Sequence, residues 1–243
     1  MKRQLILFLV GVLFFTFASA AQANIITNGS FETGNYTGWT LWETPGVNPD
    51  YGTWGIAPDG LVINPGDVTY DFFDSINVQQ SSVGLPITYN ATQGNYLAYQ
   101  LQNGEQHHRM YQDIALGSDV STLSWDMFYT NHYEEFVSGH QELAITIRDT
   151  SDMILADIFR TTEGIDPYSI SMTSFSSDIA VFAGQTVRLS VDMYVEGYYF
   201  DAAFDNFAID GTQPIPEPTT MLLLGTGLVG VAGAARRKKK NQA

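Results

Sequence analysis

Residues 187–195 read Val-Arg-Leu-Ser-Val-Asp-Met-Tyr-Val. Every second residue is apolar, and polar or aromatic side chains fill the positions between them. Because successive side chains of a β-strand point to opposite faces, this pattern buries one face and turns the other toward water or a ligand. Five apolar positions in strict alternation predict a long strand here and not a helix.

The same period of two recurs along the chain, whereas no apolar pattern of helical period lasts for three turns. Strong alternation occupies residues 123–129 and 143–147, and shorter strand-like runs occupy 24–27, 39–43, 95–101, 109–116, 153–161 and 204–209. Gly, Asn, Asp and Pro separate these runs and supply the backbone angles that turns require. The pattern predicts an all-β fold, a two-sheet antiparallel β-sandwich. Residues 44–92 are the least regular part and are expected to carry long loops.

The first 23 residues have the three parts of a secretory signal peptide. Lys2-Arg3 is a short basic region, Leu5–Phe17 is an apolar run expected to be helical, and Ala21-Gln22-Ala23 fits a small-residue cleavage site. Such a segment is removed during export. The remaining body, residues 24–213, is long enough for one domain with its own core.

The last thirty residues, 214–243, also have three parts. Pro214, Pro216 and Pro218 end the body, because proline neither continues a helix nor pairs in a central strand. Residues 219–235 carry no charge and are long enough to cross a bilayer as a helix. Residues 236–240 are five consecutive cations, which the positive-inside rule places in the cytoplasm. The alternative is a buried helix of a soluble domain.

This tail resembles a known sorting signal. Pro216-Glu217-Pro218, the short apolar span and the basic end resemble the PEP-CTERM signal of Gram-negative bacteria. The resemblance implies a transient anchor in the inner membrane and recognition by an exosortase, a membrane protease-transpeptidase. It also implies removal of the tail and delivery of the body to the cell surface or the exopolysaccharide matrix.

The body is strongly acidic and contains neither lysine nor cysteine. Its four arginines face 25 acidic residues, which gives a net charge of −21. Such a surface repels polyanions, so nucleic acid is not expected as a partner. The absence of cysteine excludes disulfides, thiol nucleophiles and thiolate metal sites. Divalent cations or neutral and cationic polymers are the expected partners; the alternative is that the acidity serves only solubility.

Three short segments of the body resemble the jelly roll of carbohydrate-binding modules, the galactose-binding-like sandwich. They are Asn28–Gly34 with the following Gly38-Trp39, the run 178–189, and Phe204–Ile209. The resemblance implies that the first and last strands lie side by side, with a structural Ca²⁺ where they meet. Residue by residue, it implies that Glu32 and Asp205 give side-chain oxygens and Ser30 its carbonyl, which are the hard ligands that Ca²⁺ prefers. The alternative is that both carboxylates are ordinary turn or strand-end residues.

Aromatic side chains are the candidates for ligand binding, because sugar sites use flat rings beside oriented hydrogen-bonding groups. Trp39 and Trp125 lie on alternating patterns and are expected in the core. The candidates lie in the loop-rich part or at a strand end: Trp42, Tyr51, Trp54, Tyr129, His132 and Tyr133. For each of them, packing in the core or in a loop is the alternative.

No arrangement of residues marks a catalytic centre. Glu134-Glu135 are adjacent, so on a strand they point to opposite faces, and His107-His108 lack the spacing of a zinc-protease motif. The sequence therefore predicts an exported, non-catalytic surface protein that binds glycan or contributes to cohesion of the exopolysaccharide matrix. The alternatives are a hydrolase or lyase acting on polysaccharide and a purely structural matrix component.

Overall fold

The computed structural model describes residues 25–45, 52–63, 87–133, 135–196 and 199–211. These residues form β-strands and turns, with one short 3-10 segment at Ala180–Phe182. The strands are β1 Thr40–Glu43, β2 Gly52–Pro58, β3 Leu61–Ile63, β4 Ile87–Tyr89, β5 Tyr96–Asn103, β6 Gln106–Ala115, β7 Thr122–Asn131, β8 Gln141–Arg148, β9 Ile154–Arg160, β10 Ser169–Asp178, β11 Thr186–Val195 and β12 Tyr199–Ile209.

Ten of these strands build two five-stranded antiparallel sheets. The first sheet has the order β1-β6-β11-β8-β9 and the second has the order β10-β7-β12-β5-β2. From β5 to β12 the chain crosses between the sheets at every connection except that from β8 to β9. The prediction of a two-sheet antiparallel sandwich is confirmed.

The core lies between the sheets and is formed by the apolar half of each alternating pattern. In β11 the odd-numbered residues from Val187 to Val195 are at most 2% exposed, as the alternation predicts. Trp39 and Trp125 are also buried in this core, as predicted. Phe31 stacks on Trp39 and both rings contact Phe207, so the turn before β1 packs directly on the end of β12.

A smaller apolar cluster lies on the outer side of the second sheet, where β3 and β4 form a two-stranded sheet of their own. Its buried members come from β2, β4, β5 and β12: Ala57, Ile87, Tyr89, Leu97 and Ala203. The second sheet is therefore covered on part of both faces. Strands β2, β3 and β4 lie within residues 44–92, the least regular part of the sequence, where long loops were expected.

Three expectations differ from the structure or lie outside the described residues. Residues 25–27 are not a strand but lead into a tight turn, in which Asn28 and Phe31 have positive φ. The first strand, β1, pairs with β6 and not with the last strand. The predicted helices of the signal peptide and of residues 219–235 lie outside the described residues, and within those residues no helix has the length and apolar character needed to cross a membrane.

Candidate functional site

The polar half of the strands in the first sheet lies on the side turned away from the core, here called the outer face, and its central residues Ser190, Asp192 and Thr146 are themselves buried. Side chains of directly paired residues on neighbouring strands point the same way. One row of pairs across the sheet runs Trp42, Arg109, Asp192 and Ala144. A second row runs through Tyr111, Ser190 and Thr146, and a third through Asp113, Arg188 and Arg148.

All four arginines of the body lie on strands of the first sheet. They belong to four different strands: Arg109 to β6, Arg148 to β8, Arg160 to β9 and Arg188 to β11. They are far apart in sequence, and only the strand register brings them together. In a body with a net charge of −21, this places every cation of residues 24–213 on one side of the fold.

Asp192 is the centre of this cluster and is fully buried. Its Oδ1 accepts a hydrogen bond from Arg109 Nε at 2.6 Å and lies 2.8 Å from His107 Nε2. Its Oδ2 accepts from Arg148 Nη2 at 3.1 Å and from the Ser190 hydroxyl at 2.8 Å. Burial alone would raise the pKa of Asp192, but the hydrogen bond from His107 and the charges of Arg109 and Arg148 hold that pKa well below its usual value.

The turn between β8 and β9 adds a second carboxylate above the sheet. Asp152 has positive φ, and the turn is held by Asp149, whose Oδ1 accepts the backbone N–H groups of Ser151 and Met153. Asp152 accepts hydrogen bonds from Arg109 Nη1 at 2.6 Å and Arg188 Nη1 at 3.2 Å. Partial burial opposes ionisation of Asp152, but the hydrogen bonds from Arg109 and Arg188 and the charges of Arg109 and Arg148 together outweigh it and lower the pKa.

Aromatic rings lie along the same face and contact the arginines. The Arg109 guanidinium lies 5.6 Å from the centre of the Trp42 ring, and the Arg188 guanidinium lies 4.0 Å from that of Tyr111. His107 stacks on Tyr194 with ring centres 3.8 Å apart. Trp42 is 40% exposed on the edge strand β1, so it offers ring surface to a ligand while Arg109 restricts its motion.

The predicted aromatic candidates do not gather at one place. Trp42 lies on the outer face, whereas Trp54 and Tyr129 are core residues, 5% and 1% exposed, with no free ring face for a ligand. His132 contacts Asp201 at 3.3 Å, next to the second sheet, and Tyr133 follows it at the surface. Tyr51 lies outside the described residues.

Glu32 and Asp205 come together on the turn that enters β5, here called the 92–96 turn. Glu32 Oε1 accepts the backbone N–H groups of Asn95 at 2.8 Å and Tyr96 at 2.9 Å. Asp205 Oδ2 accepts those of Thr92 at 2.7 Å and Gln93 at 2.9 Å. Both carboxylates therefore fix the same backbone turn.

Among the described residues, no hydrogen bond links the third predicted calcium ligand, Ser30, to Glu32, to Asp205 or to the 92–96 turn. Across the described ranges, no group of three or more His, Asp or Glu side chains is arranged to hold a metal. The carboxylate of Asp126 also lies near that of Asp205. The Thr92 hydroxyl is 2.5 Å from Asp126 Oδ2 and 3.0 Å from Asp205 Oδ2. Calcium at Glu32, Asp205 and Ser30 stays a prediction.

The sequence contained a signal for the outer face, but the candidate binding residues were not chosen from that signal. The polar positions of residues 187–195 are Arg188, Ser190, Asp192 and Tyr194, and all four lie on this face. Polar residues at every second position of a core strand mark the side turned away from the core. What sequence could not supply is the pairing partner of each residue.

Several solved β-sandwich structures are similar to this fold. The carbohydrate-binding module TmCBM61, solved in complex with β-1,4-galactotriose, is 14% identical with a TM-score of 0.43, covering 77% of this chain and 97% of its own. The K1 cleaved adhesin domain of Lys-gingipain from Porphyromonas gingivalis is 12% identical with a TM-score of 0.43, covering 75% and 96%.

A further similar structure, from a study of promiscuous specificity in carbohydrate-binding modules of the β-sandwich superfamily, is 10% identical with a TM-score of 0.44, covering 79% of this chain and 64% of its own. No curated protein matches the chain in sequence. A family model for the PEP-CTERM protein-sorting motif matches residues 214–238, which include Pro216, Glu217 and Pro218. The chain thus carries the PEP-CTERM sorting motif that its tail predicted, and this motif indicates an exported, surface-directed protein.

Proposed function

We propose that the body is a non-catalytic domain that binds glycan at the cell surface or in the exopolysaccharide matrix, through the outer face of the first sheet. The observation that carries this proposal is the exposed Trp42 ring, which stands beside a buried and fully paired network of charged side chains. The sorting motif accounts for the location of the domain, and an exosortase is its proposed processing partner.

The chemistry of the face suits a sugar. A sugar ring has apolar C–H surfaces that stack on an aromatic ring and hydroxyl groups that need oriented hydrogen-bonding partners. Trp42 supplies the ring, and Tyr111 and Tyr194 are half-buried along the same face. Because the ion pairs around Asp192 fix the arginines before a ligand arrives, little side-chain entropy is lost on binding.

The protonation states on this face favour binding over hydrolysis. A glycosidase needs one carboxyl that stays protonated and a second that is ionised, flanking one bond. On the outer face, Asp192 and Asp152 are both held ionised by guanidinium groups. Among the described residues, the aspartates whose pKa is raised, Asp201 and Asp205, are buried and belong to the second sheet.

Binding of the purified full chain, in mild detergent, to a glycan array and to secreted polysaccharide tests this function. Trp42→Ala is expected to weaken binding about tenfold, because aromatic stacking contributes roughly 0.5–1.5 kcal/mol beyond the burial of area. Tyr168→Ala is the matched control, since Tyr168 is also exposed but lies in the loop before β10. Retention on no glycan, or equal loss in both variants, would contradict the proposal.

A further inference from the structure

The charges of the outer face are arranged in two layers. Three of the four arginines are largely covered: Arg109 is 11% exposed, Arg148 is 7% and Arg188 is 15%, whereas Arg160 is 28%. Two of the carboxylates paired with the covered arginines reach the solvent, since Asp113 is 44% exposed and Asp152 is 40%. A ligand that approaches this face therefore meets negative charge first.

The guanidinium groups are also already paired. Arg188 donates to both oxygens of Asp113, at 2.7 and 3.1 Å, and to Asp152 at 3.2 Å. Arg109 divides its donors between Asp192 and Asp152. An acidic sugar could reach these donors only by displacing a carboxylate that is already in place, at the cost of those charge-assisted hydrogen bonds.

Counting the whole cluster leads to the same conclusion. Five carboxylates, those of Asp113, Glu142, Asp152, Asp157 and Asp192, stand against the four arginines, and the rest of the body adds only negative charge. The field outside this face is therefore negative although every cation of the body lies beneath it. Such a field attracts cationic ligands and opposes anionic ones.

We infer that the outer face selects glycans that carry free amino groups, with sugar ammonium groups placed against Asp113 and Asp152 and a sugar ring against Trp42. This inference rests on the proposed glycan-binding function and adds the chemical class of the ligand. Trp42 and Asp152 both contact Arg109, and Asp113 lies four residues further along β6. An aromatic ring and exposed carboxylates on one face suit an oligomer of organic cations, because the ring face and the carboxylates attract the same charge.

The test compares three oligosaccharides of equal length with the full chain: fully de-N-acetylated glucosamine, N-acetylglucosamine and galacturonic acid. Binding is measured by calorimetry at about pH 5.5, where an amine is protonated and an ordinary carboxylate is ionised. The glucosamine oligomer is expected to bind at least about tenfold more tightly than the acetylated one, and the acidic oligomer is expected to bind most weakly. Raising the salt concentration should reduce the preference, because exposed charges are screened.

Two variants connect the preference to the face. Asp113→Asn and Asp152→Asn should each reduce the preference for the amino sugar at least about threefold, whereas Glu163→Gln, an exposed acid in the loop after β9, should leave it unchanged. Thermal melts of each variant show whether it is folded. Trp42-dependent binding without any preference for the amine would overturn this inference and leave the proposed function standing, and a failure to bind every glycan would overturn both.

Discussion

At the scale of single residues, Asp192 holds the first sheet together from its outer side. It is a buried carboxylate that neutralises Arg109 and Arg148, both of which are largely covered. Removing one partner of a buried ion pair is strongly destabilising because the remaining charge stays desolvated. Asp192→Asn is therefore expected to lower the free energy of unfolding by about 3 kcal/mol, measured by urea denaturation at neutral pH.

Asp157→Asn is the matched control for this substitution. Asp157 also pairs with an arginine of the first sheet, Arg160, at 2.7 Å, but its side chain is half exposed. An exposed pair of this kind contributes at most about 1 kcal/mol. Equal changes in the free energy of unfolding for the two substitutions would show that burial does not increase the contribution of Asp192 to stability.

The raised pKa of Asp201 predicts how the free energy of unfolding depends on pH. Burial raises its pKa to about 6, and the nearby His132 only partly offsets this effect. The folded state therefore holds the proton of Asp201 more tightly than the unfolded chain does. The stabilising contribution of protonated Asp201 to the free energy of unfolding is greatest below about pH 4 and is lost as the pH rises through about 6. Asp201→Asn removes this titration. As the pH rises from about 4 to about 6, the free energy of unfolding of the variant should therefore increase by about 3 kcal/mol relative to that of the wild type.

Unfolding free energies of the two proteins at several pH values measure this gain. Tyr89 lies against the same carboxylate, and its hydroxyl keeps its proton over this range because burial raises its pKa. The difference between variant and wild type therefore reports on Asp201 together with its contact to His132. A difference that does not change with pH would mean that Asp201 is ionised in the folded state with an ordinary pKa.

At the scale of elements, the 92–96 turn shows how two distant carboxylates fix one backbone conformation. Gly94 in this turn has φ of +76°, and an added Cβ would meet the Glu32 carboxylate. Gly60, between β2 and β3, has nearly the same φ, +75°, with open space around its Cα. Comparing alanine substitutions of these two glycines therefore separates the cost of backbone strain from the cost of losing the Glu32 contact.

Gly60→Ala should cost about 1 kcal/mol of unfolding free energy, the strain of a left-handed conformation. Gly94→Ala should cost about 1 kcal/mol more, since the exposed Glu32 side chain must leave the amides of Asn95 and Tyr96 and water replaces only part of these hydrogen bonds. Urea denaturation of both variants gives the comparison. Equal costs would mean that Glu32 does not clamp the turn.

The elements also show what sequence patterns can and cannot predict. Strands such as β7, β8 and β11 were predicted because strict alternation marks a strand that has one face in the core. Strand β10 was missed because Ser and Thr fill most of its positions and few apolar residues alternate there. Residues 25–27 look like a strand in sequence, but the positive φ of Asn28 and Phe31 turns the chain onto β12, and that preference depends on tertiary packing.

The arginine cluster of the outer face could not be predicted from the sequence for a related reason. Arg109, Arg148 and Arg188 become neighbours only through the register of β6, β11 and β8. Patterns within one strand indicate which side chains share a face, but not which strand lies beside it. Trp42 was identified as a candidate because it is aromatic and near loops, and the same criterion selected Trp54, which is buried.

At the scale of the whole molecule, charge separates the body from the tail. Nine of the eleven cations follow residue 23, and five of them lie in residues 236–240. A terminal cluster of this kind favours the cytoplasmic side of a membrane, whereas an acidic body with its cations covered is suited to the outside. We propose that the two parts lie on opposite sides of the bilayer until the chain is cut between them.

Intact-mass measurement of the mature protein tests this arrangement. We expect a mass that lacks both residues 1–23 and the segment that follows Pro216-Glu217-Pro218, and cells without exosortase should keep the longer form in the membrane fraction. Because the removed segment carries five cations and no acid, the released form should bind an anion exchanger more strongly than the retained one. Recovery of the uncut chain from the extracellular matrix would show that the motif does not direct cleavage.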